Sequence, residues 1–268
     1  MPSRRPAAPV ITLTTDFGLA DHYVGTMKGV IVGIAPAARV VDLSHEVSAY
    51  RVSSGGFVLA QAYRYFPPKT VHIAVVDPGV GTSRRPILME AAGQYFVGPD
   101  NGIFSMVFSR EPGHKVRAVT AEKYWLRPVS QTFHGRDIFA PTAAHLAAGV
   151  PPARFGKLID DYLRPLSERP VRTARRGWTG AILHVDRFGN LITNFEFDEF
   201  PQIGAGRFEM QVGLQIVRQF VHNYAECPHG EPCLISGSSG YLEVSVNQGS
   251  AARQLGCGAG APVELTIY

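Results

Sequence analysis

Apolar and polar positions recur along this chain in two different periods, and the alternation of the two predicts its architecture. Residues 10–15, VITLTT, form a short β-rich run that ends in Asp16-Phe17-Gly18. The stretch HYVGTMKGVIVGIAP spaces its apolar residues at roughly the 3.6-residue helical period and stops at Pro36, so a helix is expected there. ARVVDLSH reads as a second strand, residues 51–65 as a helix closed by Pro67-Pro68, and VHIAVVD as a third strand. Strand, helix, strand, helix, strand implies parallel pairing, hence a layered α/β domain with a mostly parallel sheet. ILMEAAGQYFVGPDNG then reads as an antiparallel hairpin and IFAPTAAHLAAG as an alanine-rich helix.

The pattern changes near residue 150. Pro151, Pro152, Pro165, Pro170 and a cluster of arginines interrupt it, and the remainder of the chain is strand-like: GAILHVD, NLITNFEF, RFEMQVG, YLEVSVN and PVELTIY between glycine turns. The expected organisation is an N-terminal α/β domain over 8–165, a linker over 166–178 and a smaller all-β domain, barrel- or sandwich-like, over 179–268. GCGAGAP near the end neither follows a strand nor opens a helix, so it is weak as a dinucleotide fingerprint.

Composition narrows the function classes. The 268 residues are 45% hydrophobic and 18% charged, values of a globular chain rather than a disordered one. The formal charge of +4 is a mild excess, and only Arg169, Arg172, Arg175 and Arg176 cluster. They suit a solvated linker, so no nucleic-acid partner is expected. No stretch has the apolar length of a membrane span, and MPSRRPAAPV lacks a signal-like apolar core. Cys227, Cys233 and Cys257 are odd in number and late in the chain, unlike a disulfide framework, which makes the cytoplasm the default compartment. CPHGEPC invites a Cys₃His zinc reading through Cys227, His229, Cys233 and Cys257, but the spacing fits no common finger or ribbon and Cys257 lies far along the chain; a Pro/Gly loop is expected, with no metal.

Candidate chemistry gathers where the strands end. In open α/β sheets ligands bind beyond the carboxyl ends of the strands. Asp16, Asp42 and Asp77 fall there, and Asp100 lies in GPDNG. Any one of them could merely cap a helix or fix a turn; three in succession point to a shared site. In VVDPGVGTSRRP, Gly79 and Gly81 allow a tight turn that carries Arg84 and Arg85 back towards Asp77. Such a pair holds an ionised carboxylate and can bind a further anion, or it is a structural ion pair. His134 in TFHGRDIFAP sits in a close-packing loop before a helix start, either as a functional group or as a hydrogen bonder of that start.

Taken in order, TDFG, DHYVGTMKG, DLSH, DPGVGTSRR, GPDNG, TFHGRDIFAP, DRFGN and GSSGYLEVSVNQGSAA make the chain resemble the S-adenosylmethionine hydroxide adenosyltransferases, relatives of the fluorinase and chlorinase enzymes. The resemblance runs from about residue 10 to 267. It implies an α/β domain followed by a β domain, and a homotrimer with active sites between subunits. It implies a catalytic set of Asp77, Arg84 and His134. Substrate contacts would be Asp16, Asp21, His22, Tyr23 and Tyr50 from the first domain. From the second they would be Asp186, Phe188, Asn190, Ser238, Tyr241, Val246, Asn247 and Gln248. Val246 departs from the halogenating relatives, which carry an arginine-like partner there, and Tyr50 could equally be a core residue.

The implied reaction is attack of water-derived hydroxide on ribose C5′ of S-adenosylmethionine, giving adenosine and methionine, with no cofactor and no metal. Asp16 would bind the ribose diol, Asn190 the methionine end, and the GSSGY backbone the adenine. Either Asp77 or His134 would take the proton. Three alternatives stay open. A chlorinase-like halide transfer is disfavoured because this chain keeps the Asp-Arg-His pattern. A nucleoside-binding module would show no turnover. A metallohydrolase would use Asp16, Asp77, Asp100 and His134 as ligands.

Overall fold

A computed structural model describes residues 8–164 and 169–268, and the chain divides into two compact units, Met1–Pro165 and Leu166–Tyr268. Pro165 and residues 166–168 of the expected linker lie outside the described residues.

The first unit is built on seven strands: β1 (Val10–Thr15), β2 (Arg39–Ser44), β3 (Val71–Val75), β4 (Pro86–Ala91), β5 (Gln94–Pro99), β6 (Lys115–Ala118) and β7 (Leu158–Ile159). They lie in the order β2-β1-β3-β5-β4-β6-β7. The sheet is mixed rather than mostly parallel: β2-β1, β1-β3 and β3-β5 are parallel, whereas β5-β4, β4-β6 and β6-β7 are antiparallel. The switch originates in the β4-β5 hairpin, whose two-residue turn sets both Ala92 (φ 51°) and Gly93 (φ 71°) in the left-handed region. That hairpin adds its second strand beside β3, so everything beyond it continues antiparallel.

Helices α1 (Tyr23–Ile34), α2 (Val52–Ala62), α3 (Ser105–Arg110) and α4 (Ala140–Ala147) cover the two faces. Val71, Ile73 and Val75 of β3 join Val24, Met27 and Ile31 of α1 and the alanines of α4 in one core. Ala74 and Val76 face the other way, into a second core with Leu59 of α2 and Val107 of α3. This is the period-2 alternation of a strand buried on both sides, and it explains why VHIAVV is apolar without a break. The helix expected from IFAPTAAHLAAG is preceded by a π-helical turn, Gly135–Phe139, which the sequence pattern did not predict.

The second unit contains β8 (Val171–Arg172), β9 (Gly177–Val185), β10 (Leu191–Glu196), β11 (Phe208–Val212), β12 (Gln215–Val217), β13 (Phe220–Val221), β14 (Pro232–Ser236), β15 (Tyr241–Val246), a short α5 (Ala251–Leu255) and β16 (Pro262–Ile267). Strands order as β12-β11-β16-β9-β10-β15-β14-β13, with β8 on β9, and the sheet curls as a half-barrel around one apolar core. Residues 171–178, assigned by composition to the linker, form β8 and the start of β9. Among the described residues no helix is long and apolar enough to cross a membrane.

The cysteines depart from the sequence expectation. Cys227 and Cys233 are joined as a disulfide, with Cα atoms 6.0 Å apart and both residues buried beside Val221 and Ile235. Cys257 is the free thiol. Spacing along the chain did not reveal the pair because what unites it is the return of the 227–231 loop onto β14.

Candidate active site

Three parallel strands end at one edge of the first sheet, and the loops that leave them build a cavity of about 390 Å³, within the roughly 300–1,000 Å³ of small-molecule sites. Asp16 and Phe17 follow β1, Ala49 and Tyr50 follow β2, and Asp77 and Val80 follow β3. Thr132, Phe133, His134 and Gly135 close the fourth side from the loop before the π-helical turn.

The loop after β3 explains the sequence that leaves it. Val80 N–H donates to the Asp77 carbonyl at 3.2 Å and Thr82 Oγ1 donates to the Gly79 carbonyl at 2.7 Å, so the chain doubles back at once. Gly81 has φ +78°, and a Cβ there would stand 2.3 Å from the Gln131 carbonyl oxygen. Only glycine lets this loop lie directly on the segment that carries His134.

Arg84 joins the two loops. Its Nε donates to Asp77 Oδ1 at 3.1 Å, and its Nη2 donates both to Asp77 Oδ2 and, at 2.7 Å, to His134 Nδ1. The side chains of Arg84 and Asp77 are 9% and 4% exposed, so solvent screens the pair little. The Arg84 guanidinium also lies over the Phe139 ring, 5.2 Å from its centre. Asp77 and His134 line the cavity while Arg84 stands behind them. A guanidinium has only donors, so His134 Nδ1 must be the acceptor and Nε2 must carry the ring proton. Burial first, and the neighbouring Arg84 charge second, push the His134 pKa below its ordinary value, against the opposing pull of the Asp77 and Asp137 charges and of a hydrogen bond to the Ser130 backbone.

The adjacent arginine turns elsewhere. Arg85 donates through Nη2 to Asp100 Oδ2 and through Nη1 to Asp161 Oδ1, each at 2.8 Å, and Asp100 Oδ1 accepts the Leu163 N–H. Asp100 is thus committed to a structural network away from Asp16, Asp77 and His134, and among the described residues no group of three or more His, Cys, Asp or Glu could hold a metal ion. Asp42 also lies outside the cavity lining: it is inside β2, holding Lys28 and His45.

Of the other residues implicated by sequence, Asp16, Tyr23 and Tyr50 line the cavity, whereas Asp21 and His22 are exposed and do not. Asp16 Oδ2 accepts the Tyr50 N–H at 2.9 Å, which holds Tyr50 at φ 65° with its ring 75% exposed, so it is not a core tyrosine. Phe17 and Phe133, not singled out from sequence, complete an aromatic wall: the Tyr23 and Phe133 rings pack edge-to-face at 5.0 Å and Phe17 lies 6.0 Å from Phe133. Their signal was present, since each directly adjoins a candidate (TDF, FH), but a lone phenylalanine reads as core.

In the second unit, Asp186 Oδ1 accepts the N–H groups of Phe188 and Asn190, and Oδ2 accepts Asn190 Nδ2 at 2.8 Å. This turn packs on the start of α5, where Gly189 (φ +87°) lies against the capping Ser250. Phe188 is 76% exposed there. Between β15 and α5, Gln248 has φ 55°, and Asn247 Nδ2 donates to the Cys227 carbonyl. Ser238 sits in the turn at the opposite end of β15, and Tyr241 is buried. The Val246 side chain belongs to the apolar core, which leaves only its backbone for a ligand.

Comparison with known proteins identifies a family. Residues 11–156 match the model of the SAM hydroxide adenosyltransferase N-terminal domain, and residues 180–264 that of the C-terminal domain. The chain is 38% identical to an (R)-S-adenosyl-L-methionine hydrolase of Thermus thermophilus, over 96% of this chain and 99% of the relative. It is 39% identical to one of Salinispora tropica, over 96% and 98%. A fluorinase of Actinoplanes is 26% identical over 96% and 97%. The crystal structure of an uncharacterized conserved protein from Thermotoga maritima superposes with a TM-score of 0.87 at 37% identity, covering 96% of this chain and 99% of the other. With both domain models matched in order along the chain, and relatives 38–39% identical over nearly its full length, the chain belongs to the SAM hydroxide adenosyltransferase family.

Proposed function

We propose that the protein hydrolyses S-adenosyl-L-methionine to adenosine and L-methionine, with Asp77, Arg84 and His134 as the catalytic group. The observation that carries this is the single Arg84 guanidinium bonded to both Asp77 and His134 where those two face the cavity. A water oxygen attacks C5′, the C5′–S bond breaks, and the sulfonium leaves as a neutral thioether that needs no acid. The water gives up one proton. His134 Nδ1 is occupied by Arg84 and Nε2 bears hydrogen, so neither ring nitrogen can take it and Asp77 is the acceptor. The sulfonium cation disappears as the reaction proceeds, so a cavity walled by Phe17, Tyr23 and Phe133 rather than by water favours the transition state. Alignment of water, C5′ and sulfur supplies several kcal/mol more. As proposed, the reaction uses no metal or cofactor. The resemblance supports a homotrimer as the working form, and the exposed rings of Tyr50 and Tyr23 beside the cavity suit coverage by another subunit.

The names of the relatives specify the (R) epimer at sulfur. Inverting that centre exchanges the methyl group and the methionine chain without touching C5′, so the proposed selectivity resides in contacts to those two substituents. The test is incubation of each epimer in ¹⁸O-water with chloride present. The expected result is adenosine labelled at its 5′ oxygen, methionine in equal amount, and faster turnover of the (R) epimer. Formation of 5′-chloroadenosine would establish halide transfer, and adenosine binding without methionine release would establish a binding module.

A further inference from the structure

The DLSH motif, which the catalytic group does not absorb, forms a chain of polar side chains one layer behind the cavity. Lys28 Nζ donates to Asp42 Oδ2 at 2.6 Å. The other oxygen, Asp42 Oδ1, lies 3.0 Å from Nε2 of His45. His45 Nδ1 lies 2.8 Å from Thr15 Oγ1, and that hydroxyl oxygen accepts the Phe17 N–H at 3.3 Å. The directions are mutually consistent. The carboxylate draws the ring proton to Nε2, which leaves Nδ1 to accept the Thr15 hydroxyl proton, while the Thr15 oxygen receives the Phe17 amide.

Backbone bonds run through the same point. Gly18 N–H donates to the His45 carbonyl at 2.8 Å, and Val47 N–H to the Thr15 carbonyl at 3.4 Å. His45 is 4% exposed and Thr15 wholly buried, so these contacts are shielded from water. Burial pulls the Asp42 pKa up, but Lys28 and His45 outweigh it and hold the carboxyl below its ordinary value. The loop so fixed carries Asp16 and Phe17 into the cavity, and Asp16 in turn holds Tyr50.

We infer that His45, through Thr15 and anchored by Asp42, is a positioning residue that sets Asp16 and Phe17 for the nucleoside. This rests on the proposed hydrolysis and on Asp16 as the ribose ligand. His45 itself does not line the cavity and so touches no reacting atom.

The hydroxyl is separable from the shape of its side chain. Thr15→Val removes the bond and keeps the volume; Thr15→Ser keeps the bond. Thr15→Val and His45→Leu are expected to raise KM for S-adenosylmethionine, and Kd for adenosine by calorimetry, at least tenfold. Thr15→Ser is expected to stay within about threefold of the parent protein, and kcat to change less than KM in every case. In an Asp16→Ala background His45→Leu should cost less than it does in the parent protein, because one of the two groups it positions is gone. Equal effects of Thr15→Val and Thr15→Ser, an unchanged KM in His45→Leu, or full additivity with Asp16→Ala would each overturn the inference. Parent protein without turnover would instead refute the proposed hydrolysis.

Discussion

Replacing Arg84 by lysine separates charge from geometry at the catalytic group. Arginine makes three contacts: Nε to Asp77 Oδ1, and Nη2 to both Asp77 Oδ2 and His134 Nδ1. A lysine ammonium keeps the positive charge on one atom and cannot span the two Asp77 oxygens and the histidine together, so two of the three are lost. A hydrogen bond to a charged group is worth about 1.5–3 kcal/mol. Both side chains are largely shielded from water, so little of this is screened away. Two such bonds amount to about 3–6 kcal/mol of positioning for Asp77 and His134, or roughly 10²–10⁴ in kcat. Arg84→Ala does more: it leaves the Asp77 carboxylate buried without its counter-ion, at a stability cost of about 3–5 kcal/mol. Chromatographic measurement of adenosine formation, paired with thermal unfolding of each variant, checks both numbers. The expected pattern is a folded Arg84→Lys protein with a kcat about two to four orders of magnitude down and an Arg84→Ala protein that is inactive and less stable. Activity of Arg84→Lys within tenfold of the parent would show that field strength alone matters and that the forked geometry is irrelevant.

Two other outcomes rest on the same geometric reasoning. Gly81→Ala places a Cβ against the Gln131 carbonyl at positive φ, whereas Gly93→Ala, also at positive φ, meets open space; the first should lose at least tenfold in kcat, the second only about 1 kcal/mol of stability, and equal activity of the two would refute the close-contact argument. His72, buried in the core and bonded to Thr12 and Gln94, is pushed down by burial from 6.5 to about 4. Between those values the unfolded chain binds a proton that the folded one refuses, so stability is complete above pH 6.5 and falls by about 3 kcal/mol as pH drops to 4. Urea unfolding across that range should lose up to one proton of pH dependence in His72→Gln, and an unchanged slope would refute it.

The sequence by itself determined the local elements and the identities of the chemical groups. The 3.6-residue spacing of Val24, Met27 and Ile31 fixed α1, because one helix face must be apolar to be buried. The unbroken VHIAVV fixed a strand covered on both faces. Asp77, Arg84 and His134 stood out because charge and imidazole beside glycine turns at strand ends are costly unless used. What only the tertiary structure decided was pairing. Asp77 and Arg84 are close in sequence, but His134 joins them only because Gly81 lets two distant loops touch. Two neighbouring arginines look alike as letters, yet one turns to the catalytic group and the other to Asp100 and Asp161. The mixed sheet, the Cys227–Cys233 bond and the withdrawal of Asp42 behind His45 share that origin. Each depends on contacts between segments far apart in the chain, and local periodicity carries no information about which distant partner a buried polar group will find.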